Sequence, residues 1–316
     1  MKRYWHGLNR STEAIGFGCW QIAGNHFVNG DIPNGWGDID EDEAVEILVK
    51  AMKSGIDFFD TAQGYGYGKS EKILGKAIKK SNLSPVVCTK FELTESEIEN
   101  NRLDEDFFDR IQNSFNNLDL PYIDILLVHS PPDNIDWSTF DYSKIEKLRS
   151  DGKIGTYGVS SRSIKGAIKA AESDFGTVIE WVFNALERRP VKALFPLLKN
   201  KNFIARSPLS RGFLNSNWLN AELIFDENDY RSTLPSDWLE WTIDSVKKLQ
   251  SNGIDSSKIT EASIEYCLSK EEVTSTIIGI KSMENLNGIL ELKEKNSINF
   301  DESFLNGIDE CFPKWK

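Results

Sequence analysis

Four ionisable side chains occur at or just after the ends of apolar, strand-like stretches of this sequence. Asp60, Lys90 and His129 each end such a stretch, and Tyr65 follows Asp60 in a glycine-rich loop. A lysine or histidine in this position needs a polar partner if it points into a packed interior. A carboxylate, an ammonium group, an imidazole and a phenol can together hold and transfer a proton, so the set suggests a proton-handling site.

Each of these residues also has a simpler explanation. Asp60, in the sequence Asp-Thr-Ala, could cap a turn, and His129 could be an ordinary core histidine. Lys90 could extend its ammonium group to the rim of the fold, and Tyr65 could pack within its loop. These explanations would have to hold for all four residues at once, which favours the proton-handling hypothesis.

The elements that position these residues alternate between β-rich and helical stretches. Several of the β-rich stretches are apolar on both faces, as is typical of parallel strands that are covered on both sides. The predicted strands are Ile15–Trp20, Asp57–Asp60, Pro85–Lys90, Ile123–His129, Gly155–Ser160, Val178–Asn184, Asn202–Arg206 and Ser275–Gly279. The predicted helices between them include Glu43–Ser54, Ser70–Lys80, Asp106–Leu118, Tyr142–Arg149 and Ile164–Ala171. Eight βα units predict an α/β fold, a (β/α)8 TIM barrel, in a single domain spanning residues 1–316.

Two additions to the repeating pattern are predicted. A long insertion between strands 7 and 8 runs from Arg206 to Ser275 and holds a predicted helix at Asp237–Asn252. A loop of this length on a barrel usually covers the mouth, and a plain surface insertion is the alternative. The stretch Asp301–Phe312 predicts an extra helix near the C-terminus.

The composition restricts the classes of function. With 40% hydrophobic and 27% charged residues, the 316-residue chain is typical of a globular protein with an ample core. Its 37 basic and 49 acidic residues give a net charge of −12, which disfavours binding to duplex nucleic acid and to anionic membrane surfaces. We therefore expect neither nucleic acid nor a membrane as a partner.

The cysteine and histidine content argues against a metal site. The four cysteines are scattered without a CxxC pair, and three histidines are too few for a His-rich metal site. Scattered cysteines in a chain of this length are typical of buried thiols in a reducing compartment. The first residues lack the apolar run of a signal peptide, and no stretch reaches the ~20 apolar residues of a membrane span. We expect a cytoplasmic protein without bound metal.

The segment Gly55–Gly75, with the residues GIDFFDTAQGYGYGKSEKILG, closely resembles the signature of the aldo-keto reductase family. Further motifs of that family are resembled, in the family's order, by Cys88–Lys90, Asp124–His129, Gly158–Ser161, Ser207–Leu214 and Ile278–Ser282. The resemblance extends from about Ile15 to Leu292. It implies a barrel enzyme that reduces an aldehyde or ketone with a nicotinamide cofactor, or runs the reverse reaction.

The resemblance also implies a catalytic tetrad of Asp60, Tyr65, Lys90 and His129. Tyr65 is the expected general acid/base, since its spacing of five residues after Asp60 selects it over Tyr67. An adjacent ammonium lowers the pKa of a phenol, which is the role expected of Lys90. Asp60 would keep Lys90 charged. His129 would donate a hydrogen bond to the substrate oxygen.

The chain has no GxGxxG motif after a strand, so the implied cofactor site is not of the Rossmann type. The family instead lays a nicotinamide dinucleotide across the barrel mouth. The implied cofactor-binding residues are Ser160, Ser161, Glu180, Arg206, Ser207, Leu209, Arg211, Gly279, Lys281, Ser282 and Asn285. Asn184 is also expected near the nicotinamide carboxamide.

Two departures from the family pattern affect the cofactor. Glu180 replaces the usual glutamine, and a carboxylate accepts but does not donate hydrogen bonds. Asn285, Gly288 and Ile289 stand where a Gln or Arg and then a Glu-Asn pair usually contact the adenosine. Lys281 remains to grip a 2′-phosphate, so the sequence favours NADP(H), with NAD(H) as the alternative.

The resulting hypothesis is an NAD(P)(H)-dependent oxidoreductase acting on a small-molecule carbonyl substrate. One alternative is a cofactor-binding regulatory or sensor barrel with little turnover, and another is a lyase that uses Lys90 as a Schiff base. The lyase would need a neutral lysine, whereas Asp60 would hold Lys90 charged. Substrate specificity is expected from the loop Asn25–Trp36 and from aromatic residues of the insertion, which could equally pack among themselves: Trp218, Tyr230, Trp238 and Trp241.

Overall fold

A computed structural model describes residues 1–219, 223–295 and 300–315 of the chain. In chain order the strands of these ranges are β1 (Lys2–Trp5), β2 (Arg10–Glu13), β3 (Ile15–Gly18), β4 (Phe27–Val28), β5 (Ile32–Pro33), β6 (Phe58–Asp60), β7 (Val86–Phe91), β8 (Ile123–His129), β9 (Ile154–Ser160), β10 (Val178–Val182), β11 (Asn202–Arg206) and β12 (Val273–Gly279). Strand β3 and strands β6 to β12 form a closed parallel barrel, in which β12 pairs with β3. The predicted (β/α)8 barrel is confirmed.

Helices surround the barrel between its strands. They are α1 (Glu41–Lys53), α2 (Lys69–Ser81), α3 (Glu95–Asn100), α4 (Phe107–Leu118), α5 (Ser143–Ser150), α6 (Ile164–Glu172), α7 (Arg189–Ala193), α8 (Ser236–Ser251), α9 (Ile259–Leu268) and α10 (Met283–Lys295). The helices predicted from the sequence agree with α1, α2, α4, α5, α6 and α8 to within two residues at each end. No helix of the described ranges has both the length and the apolar character needed to cross a membrane.

The barrel strands are apolar on both faces because each face meets a separate core. On β8, Ile125 and Leu127 pack inside the barrel, whereas Leu126 and Val128 pack against the outer helices. Trp5 of the β1–β2 hairpin fills the amino-terminal end of the inner core. The ring of Trp5 lies 4.9 Å from that of Phe58. This hairpin, which closes the amino-terminal end of the barrel, was absent from the sequence-based prediction.

The long insertion between β11 and β12 reaches across the mouth of the barrel. The backbone nitrogen of Tyr230 donates to the carbonyl oxygen of Gly35 at 3.0 Å, and Trp36 and Asp229 form an isolated bridge. The insertion therefore contacts the loop that follows β3, as expected of a cover rather than a plain surface loop. Part of the insertion, residues 220–222, lies outside the described residues.

The predicted extra helix at Asp301–Phe312 is wrong. A single 3-10 turn forms at Glu302–Leu305, and the chain then turns at Gly307 with a φ of +71°. Arg188 draws the next carbonyl groups away from a helical ladder, since its guanidinium donates to the Ile308 oxygen and its backbone nitrogen donates to the Glu310 oxygen. The tail is thus held by tertiary hydrogen bonds.

Candidate active site

The alternation of side chains along the barrel strands brings the chemically active residues to one place. Phe58, Cys88 and Ile125 face the inner core, and side chains two or four residues later along a strand point the same way. Asp60, Lys90 and His129 follow at those positions, at the carboxyl ends of the neighbouring strands β6, β7 and β8. The same alternation on β10 turns Glu180 inward.

Lys90 is the centre of the buried charges. Its Nζ atom lies 2.5 Å from Oδ2 of Asp60, 3.5 Å from Oε2 of Glu180 and 3.4 Å from the hydroxyl of Tyr65. It also donates to the carbonyl oxygen of Thr61 at 3.0 Å. The side chains of Lys90, Asp60 and Glu180 are at most 1% exposed. We call Asp60, Tyr65, Lys90 and Glu180 the lysine cluster.

The charge of Lys90 is fixed by its neighbours. Burial by itself would lower the pKa of Lys90, but Asp60 and Glu180 outweigh burial and raise that pKa well above its usual range. Burial, and then the charge of Glu180, raise the pKa of Asp60, against the opposing effect of Lys90. Two carboxylates thus compete for one ammonium, and a permanently charged lysine disfavours the Schiff-base lyase.

Metal binding is not needed to explain this cluster. Asp60, Cys88 and Glu180 bring three potential ligand atoms within 4.8 Å of one another. The ammonium of Lys90, however, already contacts both carboxylates and supplies the positive charge that they require. All four cysteines of the chain, Cys88 among them, are buried.

Tyr65 and Tyr67 differ sharply in their surroundings. Tyr65 lies next to Lys90, with its ring nearly parallel to that of Trp20 at 6.0 Å and edge-on to that of His129 at 5.8 Å. Tyr67 is 69% exposed, and its hydroxyl donates to the Phe27 carbonyl oxygen at 2.5 Å. The structure therefore brings Tyr65, and not Tyr67, to the lysine cluster.

The expected acidification of Tyr65 is only one of several effects on its phenol. Lys90 lowers the pKa of Tyr65, as the sequence analysis anticipates, but burial has the larger influence and raises that pKa above the usual value of a phenol. Asp60 and Glu180 also raise it. In the chain by itself, Tyr65 is therefore held firmly in its protonated form.

His129 is neutral in this environment. Burial, and then the positive charges of Lys90, Arg206 and Arg162, lower the pKa of His129 well below its usual value. Its Nδ1 atom has no hydrogen-bond partner within the described protein. A neutral imidazole has one donor and one acceptor nitrogen, so His129, beside the Tyr65 ring, can form a hydrogen bond with a molecule in the mouth of the barrel through its other nitrogen, Nε2.

A cleft of about 1000 Å³ opens above these residues. Asp60, Tyr65 and His129 lie at its floor, and Trp20 and Trp36 line its wall. Residues from the loops after β11 and β12 and from the insertion complete it. Ligand pockets commonly span ~300–1,000 Å³, so this cleft has room for a ligand at the upper end of that range.

The family model for the aldo/keto reductase family matches residues 14–312, nearly the whole chain. The chain belongs to the aldo/keto reductase family. It is therefore a member of a family of oxidoreductases, as the sequence motifs imply.

The chain is also similar to individual members of this family. Aldo-keto reductase YhdN of Bacillus subtilis is 29% identical over 70% of this chain and 65% of its own length. The NADH-specific methylglyoxal reductase of Escherichia coli is 28% identical over 63% of this chain and 64% of its own length. The chain thus spans slightly less than two thirds of either protein. The structure of the glycerol dehydrogenase AKR11B4 from Gluconobacter oxydans superposes with a TM-score of 0.74 at 22% identity, over 98% of this chain and 94% of that one, and supports the fold.

Most cofactor-binding residues predicted for this aldo/keto reductase line the cleft. These are Arg206, Ser207, Leu209, Arg211, Gly279, Lys281 and Asn285. The loop after β11 has an unusual backbone, since Ser207, Ser210 and Arg211 all have positive φ angles of 45° to 57°. Such conformations are costly for residues other than glycine and often occur where a loop is shaped to bind a ligand.

The remaining predicted residues lie beneath or beside the cleft. Ser160 donates to Oε1 of Glu180 at 2.9 Å, and both side chains are buried. The hydroxyl of Ser161 donates to the Ser163 carbonyl oxygen at 2.8 Å. Ser282 accepts a hydrogen bond from the backbone nitrogen of Asn285 at 3.1 Å. Ser161 and Ser282 thus serve local backbone geometry in this structure.

Gly288 and Ile289 stand where the family pattern places a Glu-Asn pair against the adenosine of the cofactor. Ile289 is buried in the outer core and does not face the cleft, and Gly288 is exposed. Lys281 donates to the carbonyl oxygen of Trp36 at 2.5 Å. A phosphate bound by Lys281 would therefore have to replace this backbone contact.

Gln21 and Arg162 line the cleft but were not singled out from the sequence. A Cβ atom at residue 279 would lie only 2.1 Å from the side-chain amide of Gln21. Gly279, which has no Cβ atom, therefore leaves the space that this amide occupies. Arg162 belongs to both the cleft and a neighbouring cavity of about 470 Å³. Both residues closely follow barrel strands (β3 and β9), which is the positional pattern that could have identified them.

Proposed function

We propose that this chain is a nicotinamide-dependent reductase of small aldehydes or ketones, with Tyr65 as the general acid/base. The observation that carries this proposal is the position of the Tyr65 hydroxyl, 3.4 Å from a lysine that is ion-paired with Asp60, at the floor of a large cleft. Membership of the aldo/keto reductase family supports the same chemistry. The carbonyl substrate would lie between Tyr65 and His129.

The cleft fits a nicotinamide dinucleotide. Arg206, Arg211 and Lys281 place three cationic side chains along it, which suits a ligand with phosphate groups. The flat guanidinium of Arg206, which donates to the Ser161 carbonyl oxygen at 3.1 Å, is positioned to stack on a planar ring. When bound in its reduced form, such a cofactor supplies the hydride that no side chain provides.

The protein residues would then manage charge and protons. Neutral His129 donates a hydrogen bond that orients the substrate oxygen and stabilises its developing charge. Tyr65 gives its phenolic proton to that oxygen. Lys90, kept charged by Asp60 and Glu180, stabilises the phenolate that Tyr65 becomes. In alcohol oxidation the same residues act in reverse, with the Tyr65 phenolate as the base.

The proposed cofactor preference is NADP(H), because Lys281 is available for a 2′-phosphate. NAD(H) is the alternative, as in the NADH-specific relative from Escherichia coli. Titration of the purified protein with NADPH and with NADH, followed by tryptophan fluorescence, distinguishes them because Trp20 and Trp36 line the cleft. Tighter binding of NADPH is expected. Tighter binding of NADH would overturn the preference, and binding of neither would overturn the proposed function.

The same protein should then be assayed for reduction of methylglyoxal and glyceraldehyde, and for oxidation of glycerol. These probes test small carbonyl compounds and their alcohols in both directions. Turnover that depends on Tyr65 would support the reductase. Tight cofactor binding without turnover of any carbonyl or alcohol across a broad panel would support the regulatory or sensor barrel instead.

A further inference from the structure

Glu180 is a buried carboxylate that neither gives nor accepts a proton in the transfers proposed above. It is fully buried on the inner face of β10, four strands around the barrel from Asp60 on β6. Its Oε2 atom has no hydrogen-bond partner and lies 3.5 Å from Nζ of Lys90. Lys90 therefore faces two carboxylates that approach from opposite walls of the barrel.

Other contacts hold Glu180 in this orientation. Ser160 donates to Oε1 at 2.9 Å, and Nε of Arg206 lies 4.0 Å from the same oxygen. These contacts engage Oε1 and leave Oε2 turned towards Lys90. Because a buried carboxylate cannot be solvated by water, its charge depends on such partners. Glu180 is thus aimed at the lysine and not at solvent.

The charges around Tyr65 explain why a second carboxylate matters. Lys90 and Arg206 favour the phenolate of Tyr65, whereas Asp60 and Glu180 oppose it. The other titratable groups near the cluster include His129, which is neutral, and the thiols of Cys19 and Cys88, whose pKa values are raised chiefly by burial. Glu92 faces His129 at 3.9 Å, but its side chain is 70% exposed. Glu180 is therefore the inward-facing charge, besides Asp60, that weakens the effect of Lys90 on Tyr65.

We propose that Glu180 is a positioning residue that shares Lys90 with Asp60 and thereby sets the pH at which Tyr65 exchanges its proton. The role of this proton in turnover rests on the proposed function. The coupling between Glu180 and Tyr65 does not, because it is a property of the chain without cofactor or substrate.

The test is a titration of the unliganded protein labelled with ¹³Cζ-tyrosine, followed by NMR. The Tyr65 resonance is identified by its loss in Tyr65→Phe. Glu180→Gln removes the charge and keeps an oxygen for Ser160, so the pKa of Tyr65 should fall by about one unit or more. Glu172→Gln, at the exposed end of α6, is the matched control and should titrate like the wild type.

The titration decides the proposal in each direction. Wild-type Tyr65 could stay protonated until the protein unfolds. In that case we expect Tyr65 of Glu180→Gln to lose its proton at a pH at which the variant is still folded. A Tyr65 that behaves in Glu180→Gln as it does in the wild type overturns the proposal. An equal shift in Glu172→Gln overturns it too, since the effect would then not be specific to the cluster.

Two further variants guard against a structural artefact. Glu180→Asp keeps the charge and should restore most of the wild-type titration. If Glu180→Gln does not fold, Ser160→Ala replaces it, because loss of the serine donor to Oε1 releases the carboxylate from the orientation in which it faces Lys90. Tyr65 should then shift in the same direction by a smaller amount, and an unchanged titration would contradict the proposal.

The effect on turnover is measured separately with methylglyoxal and NADPH as probes. The alkaline limb of the pH profile of kcat should move to lower pH in Glu180→Gln, by about the shift that NMR records. An unmoved limb in an active variant would overturn the catalytic part of the proposal. Absence of turnover in the wild type would count against the proposed function with this probe, while the NMR result would still decide the coupling.

Discussion

The lysine cluster and the rim of the cleft are built on different parts of the barrel. Asp60, Lys90 and Glu180 lie on barrel strands, and their side chains are at most 1% exposed. Asp60 and Glu180 pair with both neighbouring strands, and Lys90 pairs with Leu127 of β8, so the sheet fixes each Cα position. The rim is made of loops, such as Ser207–Arg211 with its positive φ angles, and of side chains such as partly exposed Lys281. The positions of the cluster residues are therefore fixed by the barrel sheet, whereas the positions of the rim residues are fixed by local contacts.

This difference separates chemistry from recognition. A proton-transfer site needs groups placed to within a fraction of an ångström, which strands provide. A cofactor or substrate site has to vary between relatives and admit a large ligand, which loops allow. The departures of this chain from its family pattern fit that division only in part. Asn285, Gly288 and Ile289 lie beyond the last strand, whereas Glu180 lies inside the barrel and changes the cluster itself.

The largest effect is expected when the hydroxyl of Tyr65 is removed from the lysine cluster. Tyr65→Phe should reduce turnover by about 10²–10⁴-fold, because the general acid is removed. Cofactor affinity should change little, since the ring remains in place. Steady-state kinetics and fluorescence titration measure the two quantities. Tyr67→Phe is the matched control, and near-normal turnover in Tyr65→Phe would show that the proton comes from elsewhere.

A second prediction concerns the stability that strand-borne charges require. Lys90→Met would leave Asp60 and Glu180 buried without their shared cation, so the free energy of unfolding should fall by about 3–5 kcal/mol. Urea denaturation at pH 8 measures this loss. The loss should be smaller at pH 5, because the pKa of Asp60 is raised and its protonation removes one of the unpaired charges.

Lys76→Met provides the control for that measurement. Lys76 pairs with Glu41 on the protein surface, where both side chains are exposed and water screens their charges. It should unfold like the wild type. Equal destabilisation in both variants would mean that burial of the cluster has no special cost.

A third prediction tests the rim. Lys281→Ala should weaken NADPH binding by about 10–100-fold, because a charge-assisted hydrogen bond contributes roughly 1.5–3 kcal/mol. NADH binding should change much less, since it has no 2′-phosphate. Fluorescence titration with both cofactors measures the difference. Lys295→Ala, which removes a lysine paired with Glu261, is the control, and equal weakening of both cofactors by Lys281→Ala would place the 2′-phosphate elsewhere.

The smallest expected effect is the acid sensitivity that His129 causes. Its pKa is lowered in the folded state, so below the unfolded value of about 6.5 the unfolded chain binds a proton that the folded chain does not. Its contribution is therefore present above pH 6.5 and lost as the pH falls below that value. At pH 5.5 the loss is on the order of 1 kcal/mol.

Comparison of variants isolates this contribution from that of Asp60, whose raised pKa has the opposite slope. Urea denaturation at pH 7.5 and pH 5.5 should show a smaller acid-side loss for His129→Gln than for the wild type. His6→Gln, in the exposed turn between β1 and β2, should retain the wild-type loss. An unchanged pH dependence in His129→Gln would mean that His129 is protonated in the folded state.

Local spacing in the sequence was sufficient to determine the fold and the inward-facing side chains. The period of two along a strand decides which face a residue takes, so apolar stretches ending in Asp60, Lys90 and His129 predicted both the barrel and the groups at its mouth. The choice of Tyr65 over Tyr67 came instead from the resemblance to the aldo-keto reductase family, in which the tyrosine follows the aspartate by five residues. Helix bounds followed from apolar periodicity for the same local reason.

Other features were decided only by the tertiary structure. Glu180 lies 90 residues from Lys90 in the chain, and their contact depends on the closure of the barrel. The balance of burial and charge at Tyr65, the hydrogen bonds that hold the C-terminal tail out of a helix, and the engagement of Lys281 by Trp36 likewise involve distant segments. Local patterns fix which way a side chain points, whereas the distance to a partner from another strand or loop exists only after the chain has closed on itself.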